Sequence, residues 1–391
     1  MGSSRDFRGT LSMSLPSSDP VAVASAGPRC RFCSRELTHT FVDLGLSPLC
    51  QTQIPPERAD EAELFFPLRV YVCAGCLLVQ LMEYVKPDVI FSSEYPYYSS
   101  YSDSWVEHAR QYVSHVVQDF GIGGNDLVVE LASNDGYLLQ HFKERGIKCL
   151  GVEPAAGVAN AAIAKGIPTE NRFFGEKTAR DLRRTYGPAK LVLGNNVLAH
   201  VPDLNDFVSG VAALIDENGF GTFEFPHLMK LMELNQFDTI YHEHFSYFSF
   251  STVSKVFAAH GLTTFDVREL DTHGGSLRVY VCHEGARAYK RNPRVDDLLR
   301  REGEQGYRRL DTYLGFASKV EHTKRSLLKF LIAAKESGKT VVGYGAPGKG
   351  NTLLNYCGIR TDFLDYTVDR NPHKQGTYTP GARIPIYDPS K

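Results

Sequence analysis

Net charge is almost absent from this sequence: 43 Lys and Arg stand against 45 Asp and Glu, leaving −2 over 391 residues. Without an electrostatic excess the chain has no bulk attraction for nucleic acid or an anionic membrane, which argues against a basic-groove binder. Long apolar runs are missing as well, none approaching the ~20 residues that cross a bilayer. Residues 1–29, MGSSRDFRGTLSMSLPSSDPVAVASAGPR, lack the apolar stretch of a secretion signal. Rich in Ser, Pro, Gly and Ala, they read as a disordered leader ahead of a cytoplasmic protein. No short-period repeat follows. What is present is a folded soluble composition, 42% apolar and 23% charged, on a chain long enough for two or three cores of ~100–200 residues each.

The eight cysteines do not read as a disulfide framework. Four fall into two Cys-x-x-Cys pairs, Cys30/Cys33 and Cys73/Cys76, and in a chain without an export signal paired knuckles favour metal. Four thiolates complete the tetrahedron of Zn²⁺ and leave no position for water or substrate, so a structural ion is expected. The 39 residues between Cys33 and Cys73 must bulge out between the knuckles. Within them LGLSPLCQTQIPP reads as loop and FFPLRVYVCAGCLLVQ begins a strand. Cys50, Cys149, Cys282 and Cys357 read as small hydrophobes.

After a Tyr- and Ser-dense stretch, FSSEYPYYSSYSDSW, the run SWVEHARQYVSHVVQDFG carries Val and Tyr at helical spacing and stops at a glycine. Strands and helices then alternate. NDLVVELASNDGYLLQHFKERG, KCLGVEPAAGVANAAIAKG, LVLGNNVLAHVPDLNDFVSGVAALI and GFGTFEFPH predict a parallel α/β sheet with right-handed crossovers over about 122–285. Further on, GFASKVEHTKRSLLKFLIAAKESGK places Phe316, Val320, Leu327 and Leu331 on one helix face, with Gly338 at its end. TVVGYGAPGKGNTLLNYCG and FLDYTVDRNPHKQG repeat strand, Gly-rich turn, helix and strand, a second and smaller nucleotide-binding-like half.

Chemistry-bearing residues cluster at the strand ends. Glu130 closes one strand, the turn through Ala132, Asn134 and Gly136 brings backbone to a helix start, and Glu153 closes the next strand, where a carboxylate can take both ribose hydroxyls. The turn lacks the glycines of G-x-G-x-x-G, and its acidic head suits the cationic amino-acid portion of S-adenosylmethionine better than NAD. On pattern alone a generic α/β turn fits equally well. His200, in NNVLAHVPD, lies at a ligand-binding carboxyl edge, with a packing histidine as the plainer alternative. YHEHFSYFS gathers Tyr241, His242, Glu243, His244 and Tyr247, and is not the H-E-x-x-H zinc helix because Ser246 stands at the second His position. Buried titratable and phenolic groups each need a partner, so the cluster reads as acid/base machinery. GYGAPGKGN surrounds Lys349 with glycines at a helix start. That is an anion site suited to a diphosphate, or a plain tight turn, but with Asn351 where it is, not a phosphate-hydrolysing loop. Arg370, His373 and Lys374 read as a solvated loop.

Taken in order, CRFC, CAGC, SSEYPYYSSYS, VVELASNDGYLL, NNVLAHV, YHEHFSYFS, HGGSLRVYV and GYGAPGKGNTLLNY resemble the sugar C-methyltransferases that make branched deoxysugars for natural products. The resemblance runs from Cys30 to the C-terminus. It implies an α/β protein with a small zinc-binding β module over 30–85 and a Rossmann-like class I methyltransferase domain binding S-adenosylmethionine over 86–285. A C-terminal Rossmann-like α/β domain over 286–391 would hold a dTDP-linked 4-keto-deoxysugar. The implied base is His244, with Glu243 and Tyr241 beside it and His200 and Tyr95 in the site. Glu130, Ala132, Asn134, Gly136, Glu153 and Asn195 fall to the cofactor, and Tyr95, Tyr98, Lys349 and Asn351 to the sugar nucleotide. The implied reaction is methylation at C3 of the keto-sugar through an enolate.

Two alternatives stay open. The second Gly-rich half, with Asp369 closing its next strand, is arranged as an NADPH turn would be, which suggests reduction of the 4-keto group instead or in addition. A zinc-ribbon binding module is the non-enzymatic alternative, against which the YHEHFSYF cluster counts. A monomer is expected, since three domains already bury the core. The sequence departs from the family at Ala132, where Gly is usual, and closes at YDPSK where relatives usually run on, implying a shorter or truncated C-terminal domain.

Overall fold

The computed structural model describes residues 27–90 and 98–391, so most of the leader, and Tyr95, lie outside the described residues. Two matching turns start the fold. In each Cys-x-x-Cys the residue after the second cysteine, Ser34 or Leu77, takes a left-handed backbone, and its N–H returns at 2.9 Å to the carbonyl of the first cysteine. β1 (His39–Ser47), β2 (Phe66–Val72) and β3 (Val79–Leu81) form an antiparallel sheet behind them. LGLS, expected in a loop, lies in β1, and the irregular path begins only at Pro48. Register shifts between Thr40 and Val42 and between Asp43 and Leu46 erase the alternation by which a strand is read.

The middle region folds as its alternation predicts as far as Pro226, but the sheet is mixed rather than parallel throughout, because its last two strands form an antiparallel hairpin. β4 (Leu127–Leu131), β5 (Lys148–Val152), β6 (Thr169–Glu170), β7 (Ala189–Asn195) and β8 (Ile215–Pro226) lie parallel in the order β6-β5-β4-β7-β8. β4, β5, β7 and β8 carry largely apolar runs because both faces of such a sheet are covered. β9 (Ser246–Tyr247), from the YHEHFSYFS segment, leaves this sheet and pairs with β3 of the knuckle sheet. The knuckle module is therefore not free-standing. One core runs without a break from Leu68 and Val70 through Phe225 and Phe248 to Val320. β10 (Leu262–Leu270) and β11 (Ser276–His283) close the large sheet as a hairpin, β11 antiparallel to β8. Strand order reverses between β4 and β7, and ligands of open α/β sheets bind outside the carboxyl ends at such a point.

The helix Pro293–Glu304 is lashed to this sheet through Glu302, a fully buried carboxylate that contacts His227 Nε2 at 2.8 Å and accepts from the Phe250 and Ser251 amides at 2.6 and 2.7 Å. Those amides open the helix Phe250–Ala258, where a carboxylate is favoured. The long helix Phe316–Glu336 buries Phe316, Val320 and Leu331 as its spacing predicts, and Gly338 follows it in the left-handed conformation. β12 (Val342–Tyr344), β13 (Tyr366–Val368) and β14 (Ile386–Tyr387) form a small parallel sheet beside the helix Gly348–Cys357.

The stretch between the knuckles ties this half to the rest. Ile54 and Tyr378 exchange backbone hydrogen bonds of 2.9 and 2.8 Å, and the Gly381 amide donates to Glu63. No described helix is long and apolar enough to cross a membrane.

Candidate active site

The sulfurs of Cys30, Cys33, Cys73 and Cys76 all lie within 4.8 Å of one another, with Cys30–Cys76 and Cys33–Cys73 each at 3.5 Å. A tetrahedral Zn²⁺ with ~2.3 Å bonds spaces its ligands ~3.8 Å apart, so the donor set fits that ion. Gln80 Nε2 donates to Cys30 Sγ at 3.2 Å while Gln80 Oε1 accepts from the Arg31 amide, an outer layer that orients the thiolate.

Of the expected cofactor residues, Glu130 lies in β4 and Ala132, Asn134 and Gly136 in the turn after it, while Glu153 follows β5 and Asn195 ends β7. Ala132 and Asn134 hold left-handed backbones, with φ of 53° and 51°, a conformation that glycine adopts more readily than alanine. Gly136, at φ 77°, has no room for a methyl, since a Cβ there would meet Ile167 Cδ1 at 2.4 Å. Glu153 clamps the turn, accepting from the Asn134 and Ala155 amides at 2.9 and 2.8 Å. Glu130 is fully buried and its Oε2 has no hydrogen-bond partner among the described residues. Burial, then the nearby Glu153 and Asp135 charges, push its carboxyl well above the usual range. A buried polar atom of this kind ordinarily has a partner, so the oxygen is available to a ligand's donor. Ser99 N donates to Asn134 Oδ1 at 2.9 Å and Ser100 Oγ to Asp135, fastening the end of the Tyr/Ser loop onto this turn. Tyr98, in that loop, stacks on Tyr101.

Across the switch point the YHEH segment divides its side chains. His242 turns to the knuckle sheet, with Nε2 3.2 Å from the Pro67 carbonyl and its ring edge-on to Phe66. Glu243 meets Cys50, whose Sγ lies 3.8 Å from Oε1. Tyr241, His244 and His200 come together, with ring centroids 4.1 Å apart for Tyr241–His244 and 4.7 Å for His200–His244. The Phe245 amide donates to the Ala199 carbonyl at 2.7 Å and straps the segment to the turn after β7. His244 Nδ1 sits 2.9 Å from the Thr239 carbonyl, so Nδ1 carries the proton and Nε2 keeps its lone pair. Burial and the neighbouring His200 hold the His244 pKa well below the usual histidine range, against the Thr239 contact. Burial lowers His200 to about 4. Both rings are neutral at pH 7.

The Gly-rich loop also reaches this group. Lys349 lies near enough for its charge to bear on Asp238, His244 and His273. Asn351 is not part of that face: buried, it donates to the Cys50 carbonyl at 2.7 Å. Gly348 is small because Cys50 Sγ and Gln51 pack on it, at 3.1 and 3.2 Å from where a Cβ would stand. Lys374, expected in a solvated loop, donates to the Ala346 carbonyl at 2.8 Å instead. Asn195 pairs in register with Glu224 at the ends of β7 and β8.

Sequence reasoning gave no role to a group beside this junction. Glu224, fully buried, lies 3.0 Å from His108 Nε2 and accepts from Thr272 Oγ1 and Arg278. Burial pushes its carboxyl up, but His108 and Arg278 outweigh this and leave it below the usual range. Trp105 stacks on His108 and Tyr137 and meets the ring of His273. The available signal was a histidine directly before two glycines, in HGGSLR. A surface hollow of about 760 Å³, lined in part by Leu127, Lys148, Lys190 and Asp216, opens at the amino edge of the sheet, opposite this junction.

Three family models match the chain: a domain described as zinc binding over residues 30–91, a methyltransferase domain over 105–267, and a C-methyltransferase C-terminal domain over 271–391. None is a reductase family. C-methyltransferase NovU of Streptomyces niveus is 37% identical over 362 residues, covering 93% of this chain and 86% of the relative. Among solved structures, magnesium protoporphyrin IX methyltransferase of Synechocystis PCC 6803 aligns with 46% of this chain and 79% of its own at 16% identity and a TM-score of 0.35. The PH0226 protein of Pyrococcus horikoshii OT3 aligns with 50% and 100% at 14% identity and a TM-score of 0.40. With identity at that level along 93% of this chain, and all three domain families in order, the chain belongs to the C-methyltransferase family.

Proposed function

We propose that the protein is an S-adenosylmethionine-dependent methyltransferase acting at C3 of a dTDP-linked 4-keto-deoxysugar, with His244 as the base. The observation that carries this is the pinned imidazole: Nδ1–H is committed to the Thr239 carbonyl, and a neutral Nε2 is left for a proton beside Tyr241 and His200. A 4-keto group acidifies the neighbouring C3–H. His244 Nε2 takes that proton, and the electron pair moves through the C3–C4 bond to the keto oxygen, where a hydrogen-bond donor or a cation such as Lys349 stabilises it. Bound S-adenosylmethionine supplies the electrophilic methyl group that C3 takes. Glu130, the Ala132–Gly136 turn and Glu153 hold that cofactor, and Lys349 faces the nucleotide sugar. The four cysteines hold Zn²⁺ away from the reacting atoms, as a structural ion.

Mass spectrometry of sugar nucleotides incubated with the protein and S-adenosylmethionine tests the proposal. A gain of one methyl on a dTDP-4-keto-deoxysugar, absent with the 4-hydroxy analogue, is expected. Methylation of the 4-hydroxy analogue at an equal rate would exclude an enolate.

A further inference from the structure

The HGGSLR turn between β10 and β11 is built at a cost. His273, Gly274 and Gly275 have successive φ values of 53°, 80° and 118°, and a histidine rarely adopts such a backbone. The glycines are crowded as well: a Cβ at Gly274 would meet Gln236 Nε2 at 2.2 Å, and one at Gly275 would meet Lys230 Cγ at 2.7 Å. Strain of this kind persists where the surroundings over-determine the position, and it gathers at functional sites. Here the surroundings aim one ring. Asn196, itself left-handed at φ 55°, places its Nδ2 3.2 Å from His273 Nε2, and the Trp105 ring centroid lies 5.4 Å away. Among the described residues Nδ1 has no hydrogen-bond partner, and the residue keeps part of its surface exposed.

His273 also belongs electrostatically to the catalytic group. Partial burial of the ring lowers its pKa and the Lys349 ammonium lowers it further, while Glu224 acts in the opposite sense. It bears in turn on His244. A ring with Nε2 accepting from Asn196 carries its proton on Nδ1, which is left as a donor.

Building on the function proposed above, we propose that His273 is a further catalytic residue, donating a hydrogen bond to an oxyanion of the bound keto-sugar nucleotide that Lys349 also faces. The oxyanion is either a diphosphate oxygen or the enolate oxygen formed when C3 loses its proton, and kinetics separates them.

His273→Asn keeps a residue that tolerates the left-handed backbone while removing the ring. If the contact is to the diphosphate, KM for the sugar nucleotide rises about ten- to hundred-fold, the loss of one hydrogen bond to a charged group, with kcat unchanged and inhibition by inorganic pyrophosphate weakened. If it is to the enolate, kcat and the rate of deuterium uptake at C3 from D₂O both fall by that factor. In His273→Gly, added imidazole restores the lost parameter, which a packing role would not allow. A folded His273→Asn variant matching an active wild type in KM, kcat and deuterium uptake, with His273→Gly indifferent to imidazole, would overturn the proposal alone. A wild type inactive on every 4-keto-sugar nucleotide would remove the parent function and this inference with it.

Discussion

The chain builds a strand, a turn, a helix and a following strand closed by an acid twice, once around β4 and once around β12, and the acids behave alike. Glu153 accepts the amides of Asn134 in its turn and Ala155 two residues on, at 2.9 and 2.8 Å. Asp369 accepts those of Ala346 in its turn and Asn371 two residues on, at 2.7 and 2.8 Å. What separates the units is the end of the first strand. β4 lies between β5 and β7 and ends near Glu130, 1% exposed with an unpartnered oxygen. β12 is the edge of a three-stranded sheet and ends at Tyr344, 74% exposed. A shared backbone motif thus serves two purposes. The first unit ends on a buried acid with an unpartnered oxygen, while the second brings the Lys349 charge to bear on His244 and uses Asn351 and Gly348 to lock onto Cys50.

Matched substitutions sharpen that contrast most strongly. Glu153→Ala is expected to weaken S-adenosylmethionine binding by about a hundred- to ten-thousand-fold, the worth of two hydrogen bonds to a charged group, while Asp369→Ala leaves it within about twofold. Calorimetric titration of both variants decides it, and equal losses would break the comparison.

A pH effect of similar size comes from the neutral rings near β4 and β7. His200 and His244 are held below their ordinary range in the folded state, so below pH ~6.5 the unfolded chain binds more protons. Their contribution to stability is complete above that pH and is lost as pH falls toward about 4, the His200 value. For His200 alone the loss is about 3 kcal/mol. Urea unfolding at pH 7 and pH 4.5, repeated on His200→Gln, isolates the contribution as the part of the slope the variant lacks.

Smaller effects follow from space. Gly136→Ala forces a left-handed alanine against Ile167 and is expected to cost about 2 kcal/mol. Gly350→Ala, whose nearest neighbour would be Pro347 Cδ at 3.5 Å inside a helix, is expected to change stability by less than about 1 kcal/mol. Thermal melts of the two variants read the difference.

How much of this was legible depends on how local each signal is. The knuckles are read from four cysteines because each turn closes within five residues, Ser34 on Cys30 and Leu77 on Cys73. The β4 unit is read from an apolar run and a turn for the same reason. β1 escaped because bulges break its alternation. Asn351 looked like a ligand-binding residue because a Gly-rich helix start invites one, yet its amide serves a carbonyl 301 residues away. His273 and Trp105 carried no assignable role because their meaning lies in one another, and nothing in sequence spacing brings them together. The strand alternation also gave no hint that β9 would complete the knuckle sheet, which brings Glu243 to Cys50.

The central claim, that the neutral Nε2 of His244 removes a proton from C3, is tested most directly by deuterium uptake at C3 of a dTDP-4-keto-deoxysugar in D₂O. The wild type and His244→Asn are compared at neutral pH, with binding of both ligands measured alongside. The account predicts uptake by the wild type and a loss of about a hundred- to ten-thousand-fold in the variant, with both affinities within about threefold of wild type. A variant that binds both ligands and exchanges at the wild-type rate would contradict it.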